Sequence, residues 1–368
     1  MTKFFIIITI TCVLFSQDVF SQHNIATTKI VKIGLLISDE NYKEAQYAAE
    51  MAIKKANEKE GVNGLHFQLI VRSLEGPWGV GSKEAVDLIF KEKVWAILGS
   101  NDSRNAHLVE QVITKTRVVF LSAWASDPTL SQAFVPWYFS CVPNDNQQAN
   151  AIIKDIYIKG NDLKIAFIAD NSYDSKLAVN SFVKEVKLNG GAEPIQLFYD
   201  NSMKDFNNLF NQINKTGINS VILFGQPSIA LKIMQQMREI RMNQTVYGTL
   251  SIMGENEFVD NKLTNYKSVI LITSGNWLGN KGFSFQKEFQ NTYHKMPCAV
   301  AAYTFDGMNI LIEAVKNSGL KREKLKAAMS KTNYKGVTGN IQFDEKGNRK
   351  DAAKLIEIQN GIPRYIEK

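Results

Sequence analysis

The chain has 368 residues, of which 45% are hydrophobic and 21% charged, and its 43 Lys and Arg against 36 Asp and Glu leave a net charge of +7. This composition is that of a globular protein long enough for two domains. The basic residues form no dense run interleaved with aromatic residues, so the sequence argues against a nucleic-acid-binding protein.

The N-terminal segment differs from the rest of the chain. Lys3 precedes an apolar run from Phe4 to Phe15, which is shorter than the roughly 20 residues that a membrane-spanning helix needs. Val19 and Ser21 fit a cleavage site after Ser21. We interpret residues 1–21 as a signal peptide and expect an exported, periplasmic and soluble mature protein.

The cysteines and histidines form no pattern typical of a metal or cofactor site. A lipid anchor at Cys12 is disfavoured because Thr9 stands where a lipobox favours leucine, and apolar residues continue beyond Cys12. Cys141 and Cys298 cannot be paired from sequence, and the histidines are scattered. We therefore predict neither a metal ion nor a cofactor.

Strands and helices alternate through the first part of the chain. The predicted strands are the apolar segments "IVKIGLLI", "FQLIVRSL", "VWAILGS" and "VVFLSAW". The helix between the first two has alanines at spacings of three and four from Ala45 to Ala56, which predicts a narrow face packed closely on a sheet. Further helices follow the second and third strands, the latter beginning near Ser103.

The same alternation resumes after an interruption at Pro136–Asn150. The second set of predicted strands is "KIAFIAD", "PIQLFY", "SVILFG" and "SVILIT", with helices between them. Later helices are predicted near 281–295, 300–318 and 321–331, followed by a hairpin in "GNIQFDEKGNRK" and late strand segments. Two such blocks predict an α/β protein with two doubly wound parallel-sheet lobes.

Ligands of such sheets bind at the carboxyl ends of the strands. The loops there in the first block are Gly76–Gly81, Gly99–Asn105 and Ser122–Pro128. Their backbone N–H groups and hydroxyls suit an anionic group, although ordinary helix-capping turns have the same composition. Trp78 and Trp124 in these loops favour an aromatic-lined cleft.

The matching loops of the second block are Asp170–Ser175 and Phe224–Ser228. Tyr173 and Gln226 are their polar side chains best placed to face the cleft, although a tyrosine at such a position is more often a surface residue.

The first glycine loop resembles a phosphate-binding loop. Gly76 and Gly81 have its spacing, but Ser82 and Lys83 stand in the reverse of the lysine-then-hydroxyl order that contacts phosphates and magnesium. The sequence therefore disfavours nucleotide binding, and no other catalytic motif is present. We interpret the segment as a strand-to-helix loop in which Ser82 caps the helix and Lys83 is solvated.

Several segments together carry a resemblance to a known family. They are "AAEMAIKKANEKEGVNG", "VWAILGSNDS", "VVFLSAWASDPTL", "AAYTFDGMNILIEAV" and "VTGNIQFDEKGN". In this order and spacing the chain resembles the type I periplasmic binding proteins, specifically the leucine/isoleucine/valine-binding group of branched-chain amino-acid and amide ABC importers, from about Lys32 onward.

The resemblance implies two lobes joined by three hinge crossings, which close around a small ligand. It places residues 22–142 and 277–341 in the N-terminal lobe, and residues 143–276 and 342–368 in the C-terminal lobe.

The resemblance also implies site residues. Ser103, Trp124 and Ser126 match positions that hold a ligand carboxylate, and Tyr173 matches a tyrosine of the second lobe. Asp102 and Arg104 flank Ser103, where either is able to pair with a ligand charge. The complete predicted ligand-binding set is Trp78, Asp102, Ser103, Trp124, Ala125, Ser126, Tyr173 and Gln226.

The sequence departs from the family pattern at several positions. Gln226 replaces a frequent aromatic residue, and the acidic residue that commonly receives an amino group would fall near Leu250, with Glu255 and Glu257 out of register. Tyr42 is only an approximate match in a short first loop, and the family's N-lobe disulfide is absent. These departures argue against an ordinary α-amino acid as the ligand.

The leading hypothesis is a non-enzymatic, monomeric solute-binding protein that captures an amino-acid-like, amide or carboxylate ligand and delivers it to ABC permease subunits. The alternative is a binding protein that senses the ligand and acts on a receptor or regulator. An enzyme that uses the glycine loop is the third and least favoured hypothesis.

Overall fold

The computed structural model describes residues 29–40, 43–58, 64–133, 135–160, 164–255, 269–275, 277–278, 283–319, 321–351, 353–359 and 362–366. The predicted signal peptide with Cys12, and the positions of Tyr42 and Glu257, lie outside these residues. Within the described part of the chain, none of the helices combines the length and apolarity needed to span a bilayer.

The first sheet is entirely parallel, in the order β2-β1-β3-β4-β5. Its strands are β1 (Lys29–Ile37), β2 (Leu65–Ser73), β3 (Ala96–Ser100), β4 (Val119–Ser122) and β5 (Tyr138–Ser140). The helices that alternate with them are α1 (Glu44–Glu58), α2 (Val80–Val86, continued by a π-helical turn at Asp87–Lys91), α3 (Ser103–Thr116) and α4 (Thr129–Gln132).

The second sheet is mixed, in the order β14-β13-β10-β9-β8-β6-β7. Its strands are β6 (Ile165–Asp170), β7 (Ile195–Tyr199), β8 (Ser220–Leu223), β9 (Thr245–Gly248), β10 (Val269–Thr273), β13 (Lys354–Gln359) and β14 (Ile362–Tyr365). Its helices are α5 (Asp145–Ile158), α6 (Tyr173–Leu188), α7 (Asn207–Asn214) and α8 (Pro227–Glu239), with a 3-10 turn at Leu250–Met253. Strands β13 and β14 pair antiparallel with each other, and β13 also pairs antiparallel with β10.

The chain then returns to the first sheet. Helices α9 (Phe283–Tyr293), α10 (Ala299–Asn317) and α11 (Arg322–Ser330) precede the hairpin β11 (Tyr334–Gly336) and β12 (Gly339–Ile341). The alanine face of α1 is buried as predicted, and it contacts α10 as well as the sheet because small side chains let the two helices approach closely. Two lobes result, each built around one sheet.

The lobes are joined where β5 leads to α5, where β10 leads to α9, and where β12 leads to β13. These hinge crossings contact one another through buried groups. Arg349 is 1% exposed, and its guanidinium donates hydrogen bonds to the Cys141 carbonyl and the Thr338 hydroxyl at 2.9 and 3.1 Å. The Asp306 carboxylate of α10 accepts hydrogen bonds from the Val337 and Thr338 N–H groups at 3.0 and 2.7 Å. The predicted residue boundaries of the lobes remain a prediction.

Candidate ligand-binding site

The carboxyl ends of the two sheets face each other. From the first sheet come the loops after β3 and β4, and from the second sheet come the loops after β6, β8 and β9. The two edges are in direct contact, because the backbone N–H of Ser103 donates to both carboxylate oxygens of Asp174 at 3.1 and 3.0 Å. The cleft is therefore closed at this point in the structure.

Two neighbouring cavities lie in this cleft. The small cavity has a volume of about 50 Å³ and is lined by Trp124, Ser126, Asp145, Gln148, Asp174, Ser175, Ala178, Phe224, Thr249, Leu250 and Ser251. The large cavity has a volume of about 220 Å³ and is lined by Ile37, Ser38, Glu44, Ala45, Ser100, Trp124, Gly225, Gln226, Pro227, Ser251, Gly254, Glu255 and Val300. Trp124 and Ser251 line both, so one small ligand is able to occupy the two cavities together.

The Trp124 indole is the wall shared by the two cavities. Trp124 follows β4, an interior strand of the first sheet, and its ring lies against the second lobe at Gly254. A Cβ atom at Gly254 would be 3.0 Å from Cζ2 of the Trp124 ring. The indole can lie this close to the second lobe because residue 254 has no side chain. The ring offers a flat aromatic surface to any ligand in the cleft.

Asp145 brings a buried carboxylate to the small cavity. It is 4% exposed and is the first residue of α5, between Asn144 and Gln147, which form a capping box. Burial raises the pKa of Asp145 well above its usual range, and a hydrogen bond with Ser126 offsets this only partly. The Gln148 amide, 3.4 Å away, donates to the same carboxylate.

Asp174 brings a second carboxylate from α6. Burial raises its pKa to about 7, while the hydrogen bond from the Ser103 N–H and the negative charge of Asp102 act in opposite directions. Asp145 and Asp174 thus share one cavity, and burial shifts the pKa of each carboxyl group toward the protonated form in the absence of a ligand. Neither was predicted as a site residue.

The predicted site residues separate into two groups. Trp124 and Ser126 line the small cavity and Gln226 lines the large one, while Ser103 lies at the contact between the lobes, 1% exposed. The structure brings these four together because their loops follow strands near the middle of the sheets.

The other predicted residues line neither cavity. Asp102 caps α3 by accepting the Asn105 N–H at 2.8 Å, and Ala125 is buried, with its carbonyl accepting the Ser122 hydroxyl. Tyr173 is 45% exposed.

Trp78 also lies away from the cavities and is 78% exposed. Its loop follows β2, which is the edge strand of the first sheet, so the loop turns to solvent and not to the cleft. The prediction that Ser82 caps the following helix is wrong: α2 begins at Val80, and the Ser82 hydroxyl donates to the Leu108 carbonyl at 3.1 Å.

The sequence contains partial indications of Asp174 and Asp145, the two residues that were not predicted. Asp174 directly follows Tyr173 in a loop already assigned to the cleft. Asp145 lies in the segment interpreted only as a crossover, although the Asn144 and Gln147 capping pattern marks the start of a helix there. What the sequence did not reveal is that both carboxylates line one cavity.

One histidine beside the cleft, His107, lies between two carboxylates, and this cluster predicts that stability depends on pH. His107 Nε2 is 2.7 Å from Asp127 Oδ2, and Nδ1 is 3.5 Å from Glu110 Oε2. The hydrogen bond with Asp127 raises the pKa of His107 to about 9. The folded protein thus keeps a proton that the unfolded chain loses near pH 6.5, so this stabilisation is complete below pH 6.5 and disappears as the pH rises through 9.

We expect the free energy of unfolding to fall by about 1–2 kcal/mol between pH 6.5 and 9 through this group, and His107→Gln to remove that part of the fall. Urea unfolding at several pH values measures it, with the exposed His66→Gln as the control. If the free energy of unfolding fell equally with pH in the wild type and in His107→Gln, His107 would not be the group responsible for the fall.

Comparison with known proteins identifies the fold and the family. The family described as "Periplasmic binding protein" matches residues 32–360. Leu/Ile/Val-binding protein homolog 1 of Brucella suis is 24% identical over 335 residues, which are 87% of each chain. Glutamate receptor 3.4 of Arabidopsis thaliana is 22% identical over 385 residues, which cover 91% of this chain but 39% of the receptor.

Among solved structures, the branched-chain amino acid transporter substrate binding protein LivJ from Streptococcus pneumoniae, in complex with isoleucine, has a TM-score of 0.78 at 21% identity, covering 92% of this chain and 100% of that one. The predicted two-lobe fold with three hinge crossings is thereby confirmed. Because the family match extends over nearly the whole described chain, this protein belongs to the periplasmic binding protein family.

Proposed function

We propose that the chain is an extracytoplasmic solute-binding protein of an ABC importer, which captures a small amino-acid-like, amide or carboxylate ligand between its lobes. The observation that carries this proposal is the pair of adjoining cavities lined from both lobes, with Trp124 and Ser126 on one side and Asp174 and Ser251 on the other. A ligand that contacts both lobes stabilises the closed state and so couples binding to closure.

The proposal also covers export, oligomeric state and delivery of the ligand. Residues 1–21 direct export and are removed, the mature protein acts as a monomer without a catalytic role, and the closed form presents both lobes to the permease subunits. The named relatives, a Leu/Ile/Val-binding protein homologue and an isoleucine complex, support a small organic ligand of amino-acid size.

We expect a thermal-shift screen of amino acids, amides, amines and small carboxylates to find a compound that raises the melting temperature, because binding to the folded state stabilises it. Calorimetry with that compound should show that Trp124→Ala weakens binding by about 10-fold or more, since the indole walls both cavities.

Trp78→Ala is the matched control, because this exposed tryptophan lines neither cavity. We expect its affinity to stay close to that of the wild type. Unchanged binding by Trp124→Ala together with a loss in Trp78→Ala would move the site to the first glycine loop.

Ligand sensing is the second candidate, and the similarity to a plant glutamate receptor favours it. The two functions share the cleft and differ in the partner of the closed form. Ligand-dependent stimulation of a reconstituted permease would support import, whereas ligand-dependent capture of a receptor or regulator would support sensing.

A further inference from the structure

Among the described residues that line the small cavity, two carry carboxylates and none is basic. Building on the proposed function, we propose that the ligand is a small organic cation without a free carboxylate, whose protonated amine or amidine binds between Asp145 and Asp174 while its uncharged body fills the large cavity.

The first support is the environment of Asp145. Its side chain is 4% exposed, and the partners described for it are the neutral Gln148 amide and Ser126 hydroxyl. Among the described residues, no Lys, Arg or His forms an ion pair with Asp145 or Asp174. A buried carboxylate without a positive partner is costly, and a bound cation removes that cost.

The second support is that a carboxylate of the protein already fills the anion-binding position. The N-terminus of α3 is the place where the sequence predicted a ligand carboxylate, yet the Ser103 N–H there donates to Asp174. A ligand carboxylate would have to displace Asp174 and would meet the carboxyl groups of Asp102 and Asp145, which lie near this edge of the cleft. This arrangement selects against anions.

The sizes of the cavities fit an amine with a short apolar body. The small cavity, at about 50 Å³ against about 220 Å³ for the large one, suits the compact ammonium or amidinium group rather than the body of the ligand. The large cavity has Ile37 and Val300 in its lining to contact an apolar body. The Trp124 ring, shared by both cavities, supplies a π face on which a cation is stabilised.

Binding of a cation should be linked to proton release. Burial raises the pKa of Asp174 to about 7 and that of Asp145 well above its usual range, and the negative charge of Asp102 adds to the shift of Asp174. A bound cation favours the ionised carboxylates, so protons leave as the ligand enters. The affinity for a permanently protonated amine should therefore fall as the pH drops below about 7.

Three compounds with the same branched body and different charges test the proposal. Isoamylamine has only the positive group, leucine has both charges, and 4-methylpentanoate has only the carboxylate. By calorimetry at pH 7.5 we expect the amine to bind at least about 10-fold more tightly than leucine, and the acid not to bind measurably. In buffers of different ionisation enthalpy, the amine should show net proton release.

Variants separate ligand binding from structure. Asp145→Asn and Asp174→Asn should each weaken amine binding by about 10-fold or more, while the melting temperature of the free protein stays the same or rises because a buried charge is removed. Asp205→Asn is the matched control, since Asp205 is exposed and only caps the N–H of Asn207. Its amine affinity should equal that of the wild type.

The possible outcomes distinguish this inference from the proposed function. Tight binding of leucine with weak binding of the amine would overturn the cation proposal and leave the solute-binding function standing. Failure of the amine to bind, or amine binding that is insensitive to both Asn variants, would also overturn it. The proposed function itself would be contradicted only if the wider screen found no ligand of any charge.

Discussion

Replacing Gly275 with alanine is expected to lower the free energy of unfolding by about 3 kcal/mol or more. Gly275 follows β10 at a hinge crossing and has φ = +61°, a conformation that disfavours a side chain. A Cβ atom there would be 2.2 Å from the carbonyl carbon of Thr338 and 2.3 Å from the nitrogen of Gly339. Because the obstacle is backbone, two hinge crossings must separate to relieve it. Urea unfolding measures the loss.

Gly319→Ala is the matched control for this substitution. Gly319 has nearly the same conformation, φ = +60°, but among the described atoms nothing lies within 4 Å of its Cβ position. Its replacement should lower the free energy of unfolding by only about 1 kcal/mol, which is the cost of a side chain in this left-handed conformation. The difference between the two variants in free energy of unfolding measures the effect of the contact between the hinge crossings. Equal losses of stability in both variants would show that this contact is not rigid.

Arg349→Met is expected to destabilise the protein by about 3–5 kcal/mol. The guanidinium is buried, hydrogen-bonded to the Cys141 carbonyl and to Thr338, and paired through Nε with Asp351 at 2.8 Å. Methionine keeps much of the side-chain volume but leaves the Cys141 carbonyl and the Asp351 charge without these partners. Chemical denaturation again provides the measurement.

Arg238→Met on the surface of α8 controls for the change of charge. We expect its stability to remain within about 0.5 kcal/mol of the wild type, as is usual for exposed substitutions. If Arg349→Met were as stable as this control, the buried guanidinium would not be what holds the crossings together.

The main elements of both sheets follow from local sequence pattern. Strand β1 was predicted at 30–37 and is observed at Lys29–Ile37, because a short run of β-branched and aliphatic residues buries both faces of a parallel strand. Strand β9 was not predicted. It has only the four residues Thr245–Gly248, and it is a strand because β8 and β10 pair with it on either side.

The sequence predicted which loops follow strands, but it did not predict which of those strands lie inside the sheet and which at its edge. Trp124 follows the inner strand β4 and reaches the cleft, whereas Trp78 follows the edge strand β2 and faces solvent. The two tryptophans look equivalent in sequence, since each lies in a small-residue loop after a strand. Strand order is what separates them, and it depends on how the whole sheet assembles.

The sequence by itself determined the strand–helix alternation and its two blocks, because these depend on periodic burial and on segments that are contiguous in the chain. The hinged two-lobe arrangement and the class of protein were implied by its resemblance to a known family. Only the tertiary structure decided the electrostatic character of the cleft. Asp145 and Asp174 are ordinary helix-start residues in sequence, and they become a carboxylate pair in one cavity because the two lobes enclose that cavity together. The energy of a charge depends on everything that surrounds it in space, and here that surrounding comes from loops that are far apart in the chain.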